Sequence, residues 1–227
     1  MTGKICHIIV AAGSGSRFGA AMPKQFCLMA GRPVLMETIE RMRRFGGESA
    51  GILLVVSADM EAEWLRMCAA HGFESPATVH GGASRWESVS HALSHPLAQE
   101  AEVITVHDGA RPLLTRELLQ RVTAVSAHGN IPVIEVTDSL RRIGEDGGSE
   151  AVDRSRYRAV QTPQAFRGEL LRQAYALPFS PEFTDDASVM EAAGFTDLQL
   201  TEGDPRNIKI TRPGDIDIAE LYLSSMQ

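Results

Sequence analysis

Cys6-His7-Ile8-Ile9-Val10-Ala11-Ala12 runs directly into Gly13-Ser14-Gly15-Ser16-Arg17-Phe18-Gly19. The first half is β-branched and nearly continuous in its apolar character, the pattern of a strand covered on both faces in a parallel sheet. The second half is a glycine loop at that strand's carboxyl end, where backbone N–H groups can converge on a ligand. Outward from this unit the alternation continues. Val34–Phe45 places Val34, Leu35, Thr38, Ile39 and Met42 at helical spacing. Gly51–Ser57 reads as the next strand, and Asp59 is expected to cap a helix that runs to His71 and stops at Gly72. A short strand near Ala77–His80 leads through Gly81-Gly82 into a helix from Ser84 to about Ser94. Val103–His107 is a further strand, and Thr115 caps a helix expected to reach His128 and end at Gly129. Strand and helix alternating at this interval predict an α/β fold: a Rossmann-like, mostly parallel sheet with helices on both faces.

After Asn130 the rhythm changes. Ile131–Ile143 and Ala151–Val160 are extended segments around Gly144-Glu145-Asp146-Gly147-Gly148, which reads as a hairpin turn. This arm, about residues 133–160, carries Arg141, Arg142, Arg154, Arg156 and Arg158 and little apolar material. A two-stranded hairpin is marginal alone, so the arm is expected to pack on a second subunit. Helical spacing resumes at Gly168, with short strands expected near Leu198–Thr201 and at Asn207–Thr211 and a closing helix from Asp215. The chain is read as one domain over 1–227, with the arm as a subregion.

Composition excludes several classes. Over 227 residues, 44% are hydrophobic and 22% charged, which suits a globular fold with a full core rather than disorder. No apolar run approaches the ~20 residues that span a bilayer, and no signal-peptide pattern opens the chain, so a cytoplasmic location is expected. Lys+Arg 22 against Asp+Glu 29 gives a net charge of −7, which argues against binding nucleic acid through bulk charge. Cys6, Cys27 and Cys68 are odd in number and form no CxxC pair, so they read as reduced thiols.

The glycine loop fails two familiar tests. No Lys-Ser or Lys-Thr follows a glycine at P-loop spacing, and Phe18 occupies the third-glycine position of the dinucleotide fingerprint. The second strand also ends near Ser57, too late for the acidic residue that the fingerprint requires. What the loop does carry is Arg17, with Pro23-Lys24-Gln25 shortly after. Opposite charges about 4 Å apart attract by ~4 kcal/mol at an effective dielectric near 20. Paired cations beside a glycine cradle can therefore hold a triphosphate and stabilise charge that develops on phosphorus.

Ala-Ala-Gly-x-Gly-x-Arg-Phe followed by Pro-Lys-Gln resembles the signature of sugar-phosphate nucleotidyltransferases, and within them the 2-C-methyl-D-erythritol 4-phosphate cytidylyltransferases. The resemblance extends through Gly81-Gly82-Ala83-Ser84-Arg85, His107-Asp108-Gly109-Ala110-Arg111-Pro112 and Val136-Thr137-Asp138-Ser139. It continues through Val152-Asp153-Arg154, Gln161-Thr162-Pro163-Gln164, Thr184-Asp185-Asp186-Ala187-Ser188 and Asn207-Ile208-Lys209-Ile210-Thr211. It implies transfer of CMP from CTP to the phosphate of methylerythritol phosphate, with pyrophosphate released, in non-mevalonate isoprenoid synthesis. Arg17 and Lys24 would then be catalytic. Ala11, Ala12, Gly13, Gly15, Gly82, Ala83, Ser88, Asp108 and Gly109 would bind CTP. Arg111, Ser139, Arg154, Thr184 and Lys209 would bind the acceptor. Asp108 would hold Mg2+ or contact ribose, with a turn aspartate as the plain alternative, and the enzyme would be a homodimer that exchanges arms. Ser84 and Glu87 can be read simply as helix-capping and solvating residues, and Ser88 could equally be structural. Gly109 and Ser139 stand where the family pattern has alanine and threonine.

A phosphate-oxygen nucleophile needs no general base. His107 beside Asp108 is therefore either a tempting pair or, as favoured here, a strand-end histidine bonded to backbone. Three other readings are weighed. A ribitol-5-phosphate cytidylyltransferase shares most motifs, but its first loop usually resembles Ala-Gly-Gly, and Thr184-Asp185-Asp186-Ala187-Ser188 fits the methylerythritol enzyme better. An NAD-binding oxidoreductase is opposed by the broken fingerprint, and a non-catalytic nucleotide-binding module by retention of both Arg17 and Lys24.

Overall fold

The computed structural model describes residues 4–13, 22–47 and 49–226. In chain order its strands are β1 (Ile5–Val10), β2 (Leu28–Met29), β3 (Arg32–Pro33), β4 (Gly51–Val56), β5 (Ala77–His80), β6 (Val103–Asp108) and β7 (Gly129–Glu135). They continue with β8 (Arg141–Ile143), β9 (Ser149–Ala151), β10 (Arg158–Val160), β11 (Gln164–Arg167) and β12 (Leu198–Glu202). The helices are α1 (Val34–Gly46), α2 (Glu61–His71), α3 (Arg85–Leu93), α4 (Pro96–Gln99), α5 (Arg116–Thr123), α6 (Gly168–Ala174), α7 (Asp186–Ala192) and α8 (Gly214–Ser225). Eight strands form the main sheet in the order β10-β7-β11-β6-β1-β4-β5, with β12 also pairing β7. The β6-β1-β4-β5 portion is parallel throughout. Because β4 lies on one side of β1 and β6 on the other, the strand order reverses at β1. Such a switch point opens a crevice at the carboxyl ends of the strands, where α/β proteins bind ligands.

Alternate residues of each parallel strand serve opposite faces. Ile8, Leu53, Val55 and Val106 pack on one side with Val89 of α3, Leu171 of α6 and Met190 of α7. Ile9, Leu54 and Val56 pack on the other with Leu35 and Ile39 of α1, Trp64 of α2 and Leu118 of α5. This two-sided burial explains why β1 and β4 lack polar alternation. A third cluster joins Met29, Val34, Leu113 and Ile210 to Ala219 of α8.

Most boundaries follow local chemistry. The Ser84 hydroxyl accepts from Glu87 N–H, that of Thr115 accepts from Leu118 N–H, and Gly72 closes α2 in the left-handed region. Four expectations are corrected. Met60, not Asp59, precedes α2, because its N–H bonds the Ser57 carbonyl in a turn and its own carbonyl takes the first helical bond from Trp64 N–H. Helix α5 ends at Thr123, well short of His128, because Asn130 Nδ2 donates to the carbonyls of Arg121, Val122 and Ala124 and terminates it. Residues 207–211 form no strand; Ile210 N–H bonds the Ala110 carbonyl, pinning the segment to the loop after β6. Strand β11, antiparallel between β6 and β7, was not anticipated. The Gly144–Gly148 turn does join the antiparallel pair β8 and β9.

His7, on β1, is fully buried, with Nδ1 2.8 Å from Thr105 Oγ1. Burial holds its pKa down at about 4, against the weaker pull of the Gly46 backbone. Between about pH 6.5 and 4 the unfolded chain takes up this proton while the native chain does not, so stability falls as pH falls, by up to about 1.4 kcal/mol per pH unit from this group. Urea titrations across that window should show the loss, and His7→Gln should flatten the slope; equal slopes in the two proteins would refute the assignment.

Candidate active site

The crevice is lined first by backbone. Ala11 N–H bonds the Val55 carbonyl at 2.8 Å, and Gln25 Nε2 donates to the carbonyls of Ala11 (2.6 Å) and Gly13 (3.1 Å). Buried Gln25 thereby ties the end of β1 to the short turn Lys24–Phe26, which places partly buried Lys24 beside this loop. Gly15 and Arg17 lie outside the described residues. The loop after β5 meets the loop after β1 without side chains between them: a Cβ on Gly81 would stand 2.4 Å from Ala12 Cβ and 2.8 Å from Ser88 Oγ. A Cβ on Gly109 would stand 3.0 Å from Ala11 Cβ, so glycine eases this approach too. Ala11, Ala12, Gly82, Ala83, Ser88, Asp108 and Gly109 thus gather at the ends of adjacent strands.

The start of α3 is internally braced. Ser88 Oγ accepts from Gly82 N–H (3.2 Å) and donates to the Ser84 carbonyl (2.9 Å). Glu87 Oε2 accepts from Ala83 N–H at 2.5 Å, so Glu87 fixes the loop as well as standing in the helix's first turn. With those two N–H groups occupied, the slot has a defined shape before any ligand enters.

At its other end the crevice holds an ion cluster centred on buried Asp108. Lys209 Nζ lies 2.9 Å and Arg111 Nε 3.3 Å from Oδ2, while Arg85 Nε is 3.8 Å from Oδ1. Burial alone would raise this carboxyl's pKa; Lys209, Arg85 and Arg111 outweigh it and hold the group well below the usual carboxylate range. Arg85 is anchored by Asp186, Nη2 to Oδ2 at 2.6 Å, and Asp186 Oδ1 accepts from the Tyr175 hydroxyl at 2.7 Å. Burial opposes the charge on Arg85, but Asp186 and Asp108 together keep its pKa above the ordinary value. Tyr175 is pushed well above its ordinary pKa by burial and by Asp186, and so remains a donor. The three cations exceed the two carboxylates by one, which leaves the cluster suited to an anion.

Of the expected acceptor residues, Arg111 and Lys209 meet at Asp108. Thr184 is exposed and precedes α7, where Asp185 forms a capping box with Ser188; the link to the cluster runs instead through Asp186. Ser139 is exposed on the arm, and Arg154 Nη1 donates to the Thr137 carbonyl within the arm. No hydrogen bond or ion pair among the described residues joins either to the cluster. His107 proves to be the backbone-bonded histidine: Nε2 faces the Arg111 carbonyl at 3.1 Å and Nδ1 faces Thr162 Oγ1 at 3.0 Å, with burial lowering its pKa to about 4. Gln25, Arg85 and Asp186 were missed as functional residues although each lies within a quoted motif. Their signal was a polar or charged residue inside an otherwise tightly packed segment.

Among the described residues no group of three or more His, Cys, Asp and Glu converges as a metal cage. Asp108 is nevertheless a permanently charged carboxylate with Oδ1 less closely engaged than Oδ2. Mg2+, which takes one or two carboxylates and completes its shell with phosphate oxygens and water, would find one carboxylate here and would need a bound triphosphate to offset the three neighbouring cations. No helix among the described residues is long and apolar enough to cross a membrane.

A mostly parallel sheet with a backbone-lined slot and a cationic cluster at its switch point defines a nucleotide-binding α/β protein equipped to hold phosphate groups. Comparison with known proteins makes the class specific. The family model described as "IspD: 2-C-methyl-D-erythritol 4-phosphate cytidylyltransferase" matches residues 5–225. The Bacteroides thetaiotaomicron protein of that name is 43% identical over 219 residues, covering 95% of this chain and 98% of its own. Its Porphyromonas gingivalis counterpart is 42% identical over 221 residues, covering 96% and 97%. Among solved structures, the 4-diphosphocytidyl-2C-methyl-D-erythritol synthase of Anaerococcus prevotii superposes with a TM-score of 0.80 at 28% identity, covering 99% of this chain and 100% of that one. The Thermus thermophilus cytidylyltransferase gives 0.72 at 30%, covering 96% and 98%. The chain belongs to the 2-C-methyl-D-erythritol 4-phosphate cytidylyltransferase family.

The contact between the two loops is testable by stability. Gly81→Ala should destabilise the protein by about 1–3 kcal/mol through overpacking. Ala12→Gly, added to it, should recover a substantial part of that loss in urea unfolding. Strictly additive effects would mean the loops do not meet as described.

Proposed function

We propose that the chain transfers CMP from CTP to 2-C-methyl-D-erythritol 4-phosphate, giving 4-diphosphocytidyl-2-C-methyl-D-erythritol and pyrophosphate in non-mevalonate isoprenoid biosynthesis. The observation that carries this reading is the placement of a glycine-lined slot next to the Asp108–Arg111–Lys209 cluster, in a chain of this family. An acceptor phosphate oxygen attacks the α-phosphorus of CTP; the bond from that phosphorus to the oxygen bridging the β-phosphate breaks, and pyrophosphate leaves with the electron pair. The nucleophile is already anionic, so the residues need only orient and neutralise. Arg17 and Lys24 hold the triphosphate and stabilise the charge of the transition state. Main-chain groups near Ala11, Ala12, Gly13, Gly15, Gly82 and Ala83, with the Ser88 hydroxyl, receive cytosine. A slot built to pair its amino group would leave buried groups unmatched against uracil.

Arg111 and Lys209 hold the acceptor phosphate with Thr184, while Ser139 and Arg154 reach it from the arm of a second subunit in a homodimer. An exposed arm rich in arginine, whose Arg154 hydrogen-bonds the Thr137 carbonyl of its own arm, supports that arrangement. Asp108 would be the residue that holds Mg2+, and the ion would supply neutralisation of phosphate charge when bound. The substrates are small anions, and no role for nucleic acid or membrane is proposed. A cytoplasmic location belongs to the same proposal.

Pyrophosphate release should appear with CTP, Mg2+ and methylerythritol phosphate, and fall sharply with ribitol 5-phosphate or with UTP. Lys24→Ala should lower kcat by at least ~10²-fold, the usual effect of deleting one charge-stabilising donor. Preference for ribitol 5-phosphate, or near-normal turnover by the variant, would overturn the corresponding assignment.

A further inference from the structure

Thr162 is assigned no substrate contact above, yet it occupies the centre of a buried polar ring around the ion cluster. Its side chain faces two partners. Asp108 N–H donates to Oγ1 at 3.0 Å, so this oxygen accepts. On the other side His107 Nδ1 is 3.0 Å away. The Arg111 carbonyl facing His107 Nε2 can only accept, which places the ring hydrogen on Nε2 and leaves Nδ1 to accept the threonine proton. One hydroxyl thus receives from the main chain of Asp108 and gives to the histidine that holds the main chain of Arg111.

A second route leaves from the Thr162 backbone. Its carbonyl accepts from Asn207 Nδ2 at 2.8 Å, and the Asn207 carbonyl accepts from Arg111 Nη1 at 2.8 Å. Asn207 stands two residues before Lys209 and is fully buried, as is His107; Thr162 itself is 6% exposed. Both routes end on groups of the same cluster: Asp108, Arg111 and the segment that delivers Lys209.

We propose that Thr162 is a positioning residue that fixes the acceptor-phosphate half of the site through its hydroxyl. This rests on the cytidylyltransferase reading and extends it. The role needs a group that accepts and donates at once from a β-branched or equally compact side chain. Serine meets that need, and valine has the shape without the chemistry. In the valine variant Asp108 N–H and His107 Nδ1 lose their partner inside the protein, and the loop 108–111 shifts to recover one. Of the nucleotide slot only Asp108 and Gly109, in the loop after β6, adjoin the ring; the β1 and β5 loops that shape the slot have no part in it.

Steady-state kinetics with both substrates varied, and direct CTP binding by calorimetry, test this. Thr162→Val should lower kcat/KM for the acceptor by roughly 10-fold or more while the Kd for CTP stays within about 3-fold, and Thr162→Ser should restore near-normal values. Asn207→Leu, which cuts the second route, should raise KM for the acceptor likewise and carries the test should the valine variant fail to fold. Unchanged acceptor kinetics in Thr162→Val, or an equal loss toward CTP and acceptor that serine does not rescue, would overturn the proposal. A wild-type protein that releases no pyrophosphate with this acceptor would instead overturn the functional reading.

Discussion

The attraction between the Asp108 carboxylate and the cations around it is the interaction on which the site depends. Removing a charge from water costs several kcal/mol even after relaxation, and a partner must offset that cost. Asp108 finds its partners in parts of the chain far apart in sequence: Arg85 at the start of α3, Arg111 in the loop after β6, and Lys209 in a segment without regular structure. Meeting the electrostatic demand of one carboxylate brings those three parts to one point. Asp186 then fixes Arg85 from α7, with Tyr175 holding the second oxygen. The cluster therefore joins segments distant in sequence as it forms, and it carries one more positive than negative charge at the end of the sheet where strand order reverses.

The nucleotide side of the crevice is built by a different rule, close approach of backbone. Gly81 and Gly109 bring the loops after β5 and β6 against Ala12 and Ala11 at distances no larger side chain would permit without rearrangement. Gln25, Glu87 and Ser88 hold those loops through hydrogen bonds to their main chains. A flat, preshaped slot beside a charged cluster divides the labour: shape selects one end of a substrate and charge retains the other.

Much of this was legible in the sequence because local chemistry and tertiary need agree. Apolar runs such as Leu53–Val56 and Ile8–Ile9 are buried on both faces, and Ser84 and Thr115 start helices and Gly72 ends one for reasons contained within a few residues. Errors arose where a distant residue decides. Asn130, from the next strand, cuts α5 short; Ala110 draws Ile210 out of any strand. Strand β11 has four residues and owes its existence to β6 and β7 on either side. In the site, Asp108, Arg111 and Lys209 could be named from motifs, whereas the pairing of Arg85 with Asp186 spans 101 positions and has no local signature. Ser139 and Arg154 sit on an arm whose proposed partner is another copy of the chain.

A crystal structure of the protein with a non-hydrolysable CTP analogue, Mg2+ and the acceptor phosphate tests the division of labour most directly. The account predicts the cytosine ring against the Ala12 and Gly82–Ala83 backbone, the triphosphate beside Lys24, and the acceptor phosphate within ion-pair reach of Arg111 and Lys209. A triphosphate seated on the Arg111–Lys209 cluster, or a base bound away from the two glycine loops, would contradict it.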